Sequence, residues 1–293
     1  MAIEMAESES IKLLNGRRSI PNFDENINTT IYYFSGTGNS LKIARDLSEK
    51  LSSCELVPIA KAIKRDIIES STKKVGFIFP LYWWGLPEIV RDFAKKIDLS
   101  NTDYIFAVIT CAMSTLGGGL HQLKSIIEKK SKKLDAGFLI PMPANYIPLS
   151  DMISEKKQDI VFKKAQKKVE MISEIILTNK KKLEKEIFHF LRHISHRRFI
   201  KRVNHFDKKF NIDDKCNSCG ICVKVCPVNN INLHDGQPQW LHKCQSCLAC
   251  IHFCPQESIQ YGTKTLKTQR YHHPEITVKD LMIKEKISGS DRI

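Results

Sequence analysis

Apolar and polar positions along the middle of the chain alternate between two periods. Ile31-Tyr32-Tyr33-Phe34 is a β-branched and aromatic run that predicts a strand, and it ends in the turn-forming stretch Ser35-Gly36-Thr37-Gly38-Asn39. Leu41, Ile43, Ala44, Leu47 and Leu51 then recur at helical spacing. The alternation continues, predicting strands over 55–59, 75–80, 104–110 and 137–141, and helices over 87–97, 120–130 and from about 154 to 177. Val75-Gly76-Phe77-Ile78-Phe79 and Ile105-Phe106-Ala107-Val108-Ile109 are continuously apolar, as in a parallel sheet covered on both faces. The pattern predicts an α/β domain over 29–178 with a five-stranded, doubly wound parallel sheet.

The flanks read differently. Residues 1–28 look like an extension in which 8–14 could form a short helix ahead of Asn15-Gly16. Residues 179–210 are basic and free of Gly and Pro, a helical linker in which Ile187, Phe190, Leu191 and Ile194 form an apolar stripe opposite Arg192, Arg197, Lys201 and Arg202. From 211 to 262 the chain is Cys-rich and repeats itself at an offset of 28: Cys216, Cys219, Cys222, Cys226, Pro227 and Ile231 match Cys244, Cys247, Cys250, Cys254, Pro255 and Ile259. The tail, 263–293, is polar and basic without strong periodicity.

Composition narrows the classes. With 42% hydrophobic and 27% charged residues, the chain is neither disordered nor membrane-like. It has no apolar run long enough to span a bilayer, and its acidic, Ser-rich start lacks the features of a signal peptide, so a cytoplasmic protein is expected. Eight of the ten cysteines fall between 216 and 254, which points to metal ligation in a reducing compartment rather than disulfides. Forty-six Lys and Arg against 32 Asp and Glu leave +14. Residues 150–215 hold 18 Lys and Arg and 10 Asp and Glu, so +8 of this excess belongs to the helical segments. The reading preferred for this helix is one face packed between the domains and a solvated basic face, and among the readings that need a partner, docking of an acidic redox protein comes first. Nucleic acid is not expected as a partner, nor is peripheral membrane contact. His189, His193 and His196 share a helical face without a Cys or carboxylate pattern beside them, and read as structural. Cys54 and Cys111 read as small buried hydrophobes.

Each half of the repeat spells C-x2-C-x2-C-x3-C-P. Three cysteines two residues apart let a tight loop wrap one corner of an iron–sulfur cube, and the fourth points away. Structural zinc also uses C-x2-C pairs, but it needs two such pairs rather than a run of three, and it leaves the duplication unexplained. Residues 211–262 resemble the bacterial two-cluster [4Fe–4S] ferredoxins. That resemblance implies crossed ligation: Cys216, Cys219, Cys222 and Cys254 for one cluster, and Cys244, Cys247, Cys250 and Cys226 for the other.

Ser35-Gly36-Thr37-Gly38-Asn39-Ser40 lies between a strand and a helix, where backbone N–H groups and the helix dipole favour a phosphate. The spacing fits neither a Walker loop nor GxGxxG, since position 41 is Leu. The loop resembles the flavodoxin phosphate loop, Thr/Ser-x-Thr-Gly-x-Thr/Ser, which implies FMN. In flavodoxins the ring lies between the loops after the third and fourth strands. Here those loops carry Tyr82, Trp83, Trp84 and Gly85, and Thr110, Cys111, Ala112 and Met113. Phe34–Ser40, Met142-Pro143-Ala144-Asn145-Tyr146-Ile147 and Arg270-Tyr271-His272-His273-Pro274 together resemble a family of anaerobic bacteria and archaea that fuses a flavodoxin-like domain to a two-cluster ferredoxin. The resemblance implies an electron-transfer protein passing electrons between two [4Fe–4S] clusters and FMN, with redox proteins as partners. An FMN-dependent reductase of a quinone or nitro compound is the alternative, followed by a nucleic-acid or membrane-surface module. No acid–base dyad or nucleophile elbow is visible, so no catalytic side chain is assigned.

Overall fold

The computed structural model describes residues 27–113, 117–187 and 189–282, with backbone alone at 189–192. The short helix expected over 8–14 lies outside the described residues, as do Ser114, Thr115 and Leu116 of the glycine-rich loop.

The first body is a parallel sheet. Its strands are β1 (Thr29–Tyr33), β2 (Cys54–Pro58), β3 (Lys74–Pro80), β4 (Tyr104–Cys111), β5 (Ala136–Pro141) and β6 (Lys182–Leu183), in the order β2-β1-β3-β4-β5-β6. Helices α1 (Asn39–Leu51), α2 (Ile59–Ala62), α3 (Glu88–Lys96), α4 (Gly119–Glu128) and α5 (Glu155–Leu177) cover its two faces. Side-chain alternation builds two cores. Phe77 and Phe79 pack on one face with Phe93 of α3 and Leu123 of α4, while Ile78, Phe106 and Phe138 meet Leu47 of α1 and Ile172 of α5 on the other. Gly76 is obligatory for the second layer, since a Cβ there would stand 2.3 Å from the Phe106 ring.

The sheet has six strands where periodicity predicts five. The sixth is two exposed residues, Lys182 and Leu183, paired to Ala136 and Gly137. A polar edge strand carries no alternating pattern to read; only the neighbouring strand's open hydrogen-bonding edge defines it. The basic linker is therefore not wholly helical: β6 is followed by α6 (His189–Ile200) and a 3-10 turn at Val203–Lys209.

The apolar stripe expected of the linker is corrected at two of its four positions, while the side chains of Phe190 and Leu191 lie outside the described residues. Ile187 and Ile194 are about half exposed, whereas His196, Phe199 and Val203 are buried. The buried face is set by what lies beneath it, namely Gln122, Leu86 and the Trp83 ring.

The second body is small. β7 (Phe210–Ile212) pairs antiparallel with β10 (Ile259–Tyr261), and β8 (Ile231–His234) forms a hairpin with β9 (Gln237–Trp240). Two one-turn helices, α7 (Ile221–Lys224) and α8 (Ala249–His252), sit 28 residues apart, as the cysteine repeat does. The duplication reaches the backbone. Ser218 and Gly220 are left-handed, and so are their counterparts Ser246 and Leu248.

The tail closes over the first body. α9 (Val278–Leu281) starts with a capping box between Thr277 and Asp280, and Arg45 of α1 reaches Asp280 at 2.6 Å. Lys42 meets Glu275 at 2.7 Å. Among the described residues no helix is long and apolar enough to cross a membrane.

Candidate flavin and iron–sulfur site

The carboxyl ends of β1, β3, β4 and β5 open into a cavity of about 410 Å³, within the range of small-molecule sites. Twelve of the fourteen residues expected at a flavin line it: Ser35, Gly36, Thr37, Asn39 and Ser40 from the first loop, Tyr82, Trp83 and Trp84 from the second, and Thr110, Cys111, Ala112 and Met113 from the third. Gly38 and Gly85 do not. Gly38 adopts a left-handed φ of 98°, and a Cβ there would meet Ile276 of the tail at 2.8 Å. Gly85 lies under Gln122 and His196.

The first loop presents donors and no carboxylate. Gly38 N donates to Ser35 Oγ at 3.1 Å, and Ser40 Oγ and Thr110 Oγ1 share a buried hydrogen bond of 2.7 Å. Helix α1 has no side-chain cap and no acidic residue in its first turn, so its positive end faces the loop uncompensated. A phosphate monoester matches this donor set.

The second loop is strained. Tyr82 and Gly85 exchange both backbone hydrogen bonds at 3.0 Å, with Trp83 and Trp84 between them at φ 45° and 72°. This is the backbone of a turn that ordinarily takes Asn-Gly, and each non-glycine residue held there costs about 1–2 kcal/mol. Tertiary contacts hold it. Trp83 stacks on Phe199 with planes 10° apart, and its Nε1 donates to Ser195 Oγ at 2.8 Å. Burial, then Cys247 and Cys244, raises the Tyr82 phenol well above its ordinary pKa, so it stays a neutral donor. Burial likewise pushes the Cys111 thiol up to about 12.

Several contributors went unassigned at the level of sequence. Met142 to Tyr146 and Leu149 line the cavity, and Asn145 donates through Nδ2 to Thr37 Oγ1. Their motif was visible, but no residue type in it announces a ligand. Tyr271 donates to Asn39 Oδ1 at 2.6 Å, and His273 N donates to Thr37 O at 2.8 Å. The tail is thus a strap over the first loop. Tyr271→Phe leaves a buried acceptor unpaired and is expected to cost about 1–3 kcal/mol, read by denaturant unfolding; unchanged stability would show that the strap does not hold the loop.

The second body supplies the remaining wall. Ser246, Cys247 and Leu248 line the same cavity. A Cβ on Gly36 would stand 2.6 Å from the Cys247 carbonyl oxygen and 3.1 Å from Tyr82 Oη. The first loop and the second cysteine repeat are in backbone contact.

Among the described residues no three His, Cys, Asp or Glu side chains converge closely enough for a single metal ion. The thiols associate in larger sets. Burial pushes Cys222 up to about 11, and its electrostatic neighbours are Cys254, Cys219 and Cys216. Cys250 is raised by burial and then by Cys247, Cys244, Cys226 and, last, Cys222. Cys216, Cys219, Cys222 and Cys254 line one crevice with Pro255 and Leu233. Cys226 accepts from Asn230 N and Cys244 from Ser246 N, both at 3.2 Å. Buried thiols held this high remain protonated near neutrality unless cations replace the protons, and thiolates spread over four irons of a cube fit such a donor set. Cys219 is exposed, whereas Cys247 faces the cavity.

The family model described as a flavodoxin domain matches residues 30–136, and one described as a 4Fe-4S dicluster domain matches 215–261. No curated protein matches the chain. A Bacteroides uniformis ATCC 8492 structure classed as a flavoprotein is similar at 16% identity over 40% of this chain and 92% of that one, with a TM-score of 0.32. Rubredoxin oxygen:oxidoreductase from the anaerobe Desulfovibrio gigas is 12% identical over 52% of this chain and 36% of its own, with a TM-score of 0.33. The match therefore spans about a third of the Desulfovibrio chain. Trp repressor binding protein from Bacillus subtilis is 10% identical over 47% of this chain and 95% of its own, with a TM-score of 0.29.

Proposed function

The chain is a flavodoxin–ferredoxin fusion, an iron–sulfur flavoprotein of electron transfer, and on that premise we propose that electrons run between the Cys219 end and the shared cavity through two clusters. The flavodoxin domain implies FMN and the dicluster domain implies iron–sulfur clusters. When bound, the clusters exchange single electrons and the flavin one or two. In this reading Cys216, Cys219, Cys222 and Cys254 hold the outer cluster, and Cys244, Cys247, Cys250 and Cys226 the inner one. Ser35, Thr37 and Ser40 hold the flavin phosphate. Trp83 and Trp84 flank the ring, and Thr110 to Met113 line its edge.

The observation that carries the proposal is the contact between Gly36 and Cys247. It brings a ligand of the inner cluster to the wall of the flavin cavity, with the neutral Tyr82 phenol alongside. Leu248 contributes by exclusion. It is buried in a left-handed conformation at the place where the first repeat has Gly220, and its side chain keeps water from the junction.

Anaerobic purification followed by iron, sulfide and flavin analysis of one sample tests this reading. About eight irons and one FMN per chain are expected from two cubanes and one phosphate loop. A colourless, zinc-loaded protein would overturn it. A second reading is favoured by the rim of the cavity, where Trp83, Met113 and Leu149 are exposed. Such an apolar mouth admits a planar acceptor, and steady turnover of a quinone by the same sample under a reducing protein would assign the role of reductase.

A further inference from the structure

Helices α3, α4 and α6 enclose a groove of about 490 Å³, with Leu86, just past the Trp83–Trp84 turn, in its lining. Every charged side chain lining it is a cation: Arg91, Lys95, Arg197 and Lys201, over a floor that includes Leu86 and Ile126. Arg91 is offset by Asp92 at 2.9 Å and Glu88 at 3.3 Å. Lys95, Arg197 and Lys201 are exposed and meet no carboxylate among the described residues. The floor is rigid. His196 Nε2 donates to Leu86 O at 2.9 Å, and its Nδ1 accepts from Gln122 at 3.2 Å. Gln122 Oε1 in turn accepts from Leu86 N.

We propose that this groove docks an acidic redox protein at the flavin end of the molecule. Three long cations on open walls attract carboxylates in many geometries, as transient partner surfaces require. They form no convergent clamp, and no Phe, Tyr or Trp lines the groove to stack a nucleotide base. Position supports the same occupant. Helix α6 carries Arg197, with Lys201 directly after its last residue, and also Ser195 and Phe199, the two partners of Trp83 at the cavity wall. A protein seated on the groove therefore lies beside the cavity. Residues 211–262 hold 3 Lys and Arg against 4 Asp and Glu, so the cysteine-rich segment itself offers an acidic partner no comparable excess of cations. Which centre the docked protein exchanges electrons with rests on the proposed flavin site; the docking does not.

The test uses the full-length protein as purified, with a fluorescent polyglutamate peptide as the acidic probe. Lys95→Glu, Arg197→Glu and Lys201→Glu together are expected to weaken peptide binding by more than about tenfold and to flatten its salt dependence. The three corresponding Gln substitutions are expected to have a smaller effect in the same direction. Lys167→Glu, on the exposed face of α5, is the control and should change little. Equal affinity in the triple variant, no peptide binding to the unaltered protein at low salt, tighter binding of duplex DNA than of the peptide, or displacement by NADPH would each overturn the proposal. Iron and flavin contents of the same preparations report separately on the proposed function, so the two can fail independently.

Discussion

Cys254→Ser is expected to remove one cluster and leave the other, and the lost cluster is the outer one, built otherwise from the first repeat. Cys254 belongs by sequence with Cys244, Cys247 and Cys250. In the fold it lines the crevice with Cys216, Cys219 and Cys222, and it is the first electrostatic neighbour of Cys222. A serine hydroxyl is far harder to deprotonate than a thiol, so the fourth iron loses its ligand. Iron should fall from about eight to about four per chain with the flavin retained. Cys226→Ser should give the same iron count by losing the inner cluster, and should also isolate the flavin from a reductant that reaches only the outer one. The measurement is iron analysis with the distinct spectra of the two clusters. Loss of the inner cluster in Cys254→Ser would show that each repeat ligates its own cube, and crossed ligation would be wrong.

Gly36→Val should separate the two bodies where they touch. A side chain at Gly36 would meet the Cys247 carbonyl oxygen at 2.6 Å and its Cβ at 3.0 Å. Backbone cannot rotate aside as a side chain can, so either the loop or the second body has to shift, at a cost of about 1–3 kcal/mol. The strain falls on the first loop, the one proposed to hold the flavin phosphate, and flavin affinity is expected to drop by at least about tenfold, or ~1.4 kcal/mol. Iron content should stay the same, because no cluster ligand changes. Flavin titration of the apoprotein and rapid-mixing kinetics check both parts. Full flavin affinity together with unchanged electron exchange would mean that the contact is not the junction.

The runs of three cysteines and the first loop were legible as motifs because their spacing is local, whereas the grouping of Cys254 with the first run came only from the resemblance to two-cluster ferredoxins. Spacing along the chain is spacing in space when the residues share one turn. The five longer strands were readable for the same reason, each carrying its burial pattern within itself. β6 was not, because Lys182 and Leu183 become a strand only through the edge of β5. The linker's apolar face was misread at Ile187 and Ile194, which are apolar by type, while the available partners lie on the side of His196 and Phe199. Gly36 was legible only as one residue of a loop that favours a phosphate, and the fold adds the closeness of Cys247.

By itself, then, the amino-acid order determined two bodies and their cofactor classes, since periodicity, turn chemistry and thiol spacing are short-range properties. Tertiary structure alone decided that Cys247 rather than Cys219 faces the cavity at the first loop, that the tail straps Asn39 and Thr37, and that the cations of α3 and α6 share one groove. These are long-range juxtapositions. They arise from how separately legible pieces bury their remaining surfaces against one another, and no local pattern encodes that choice.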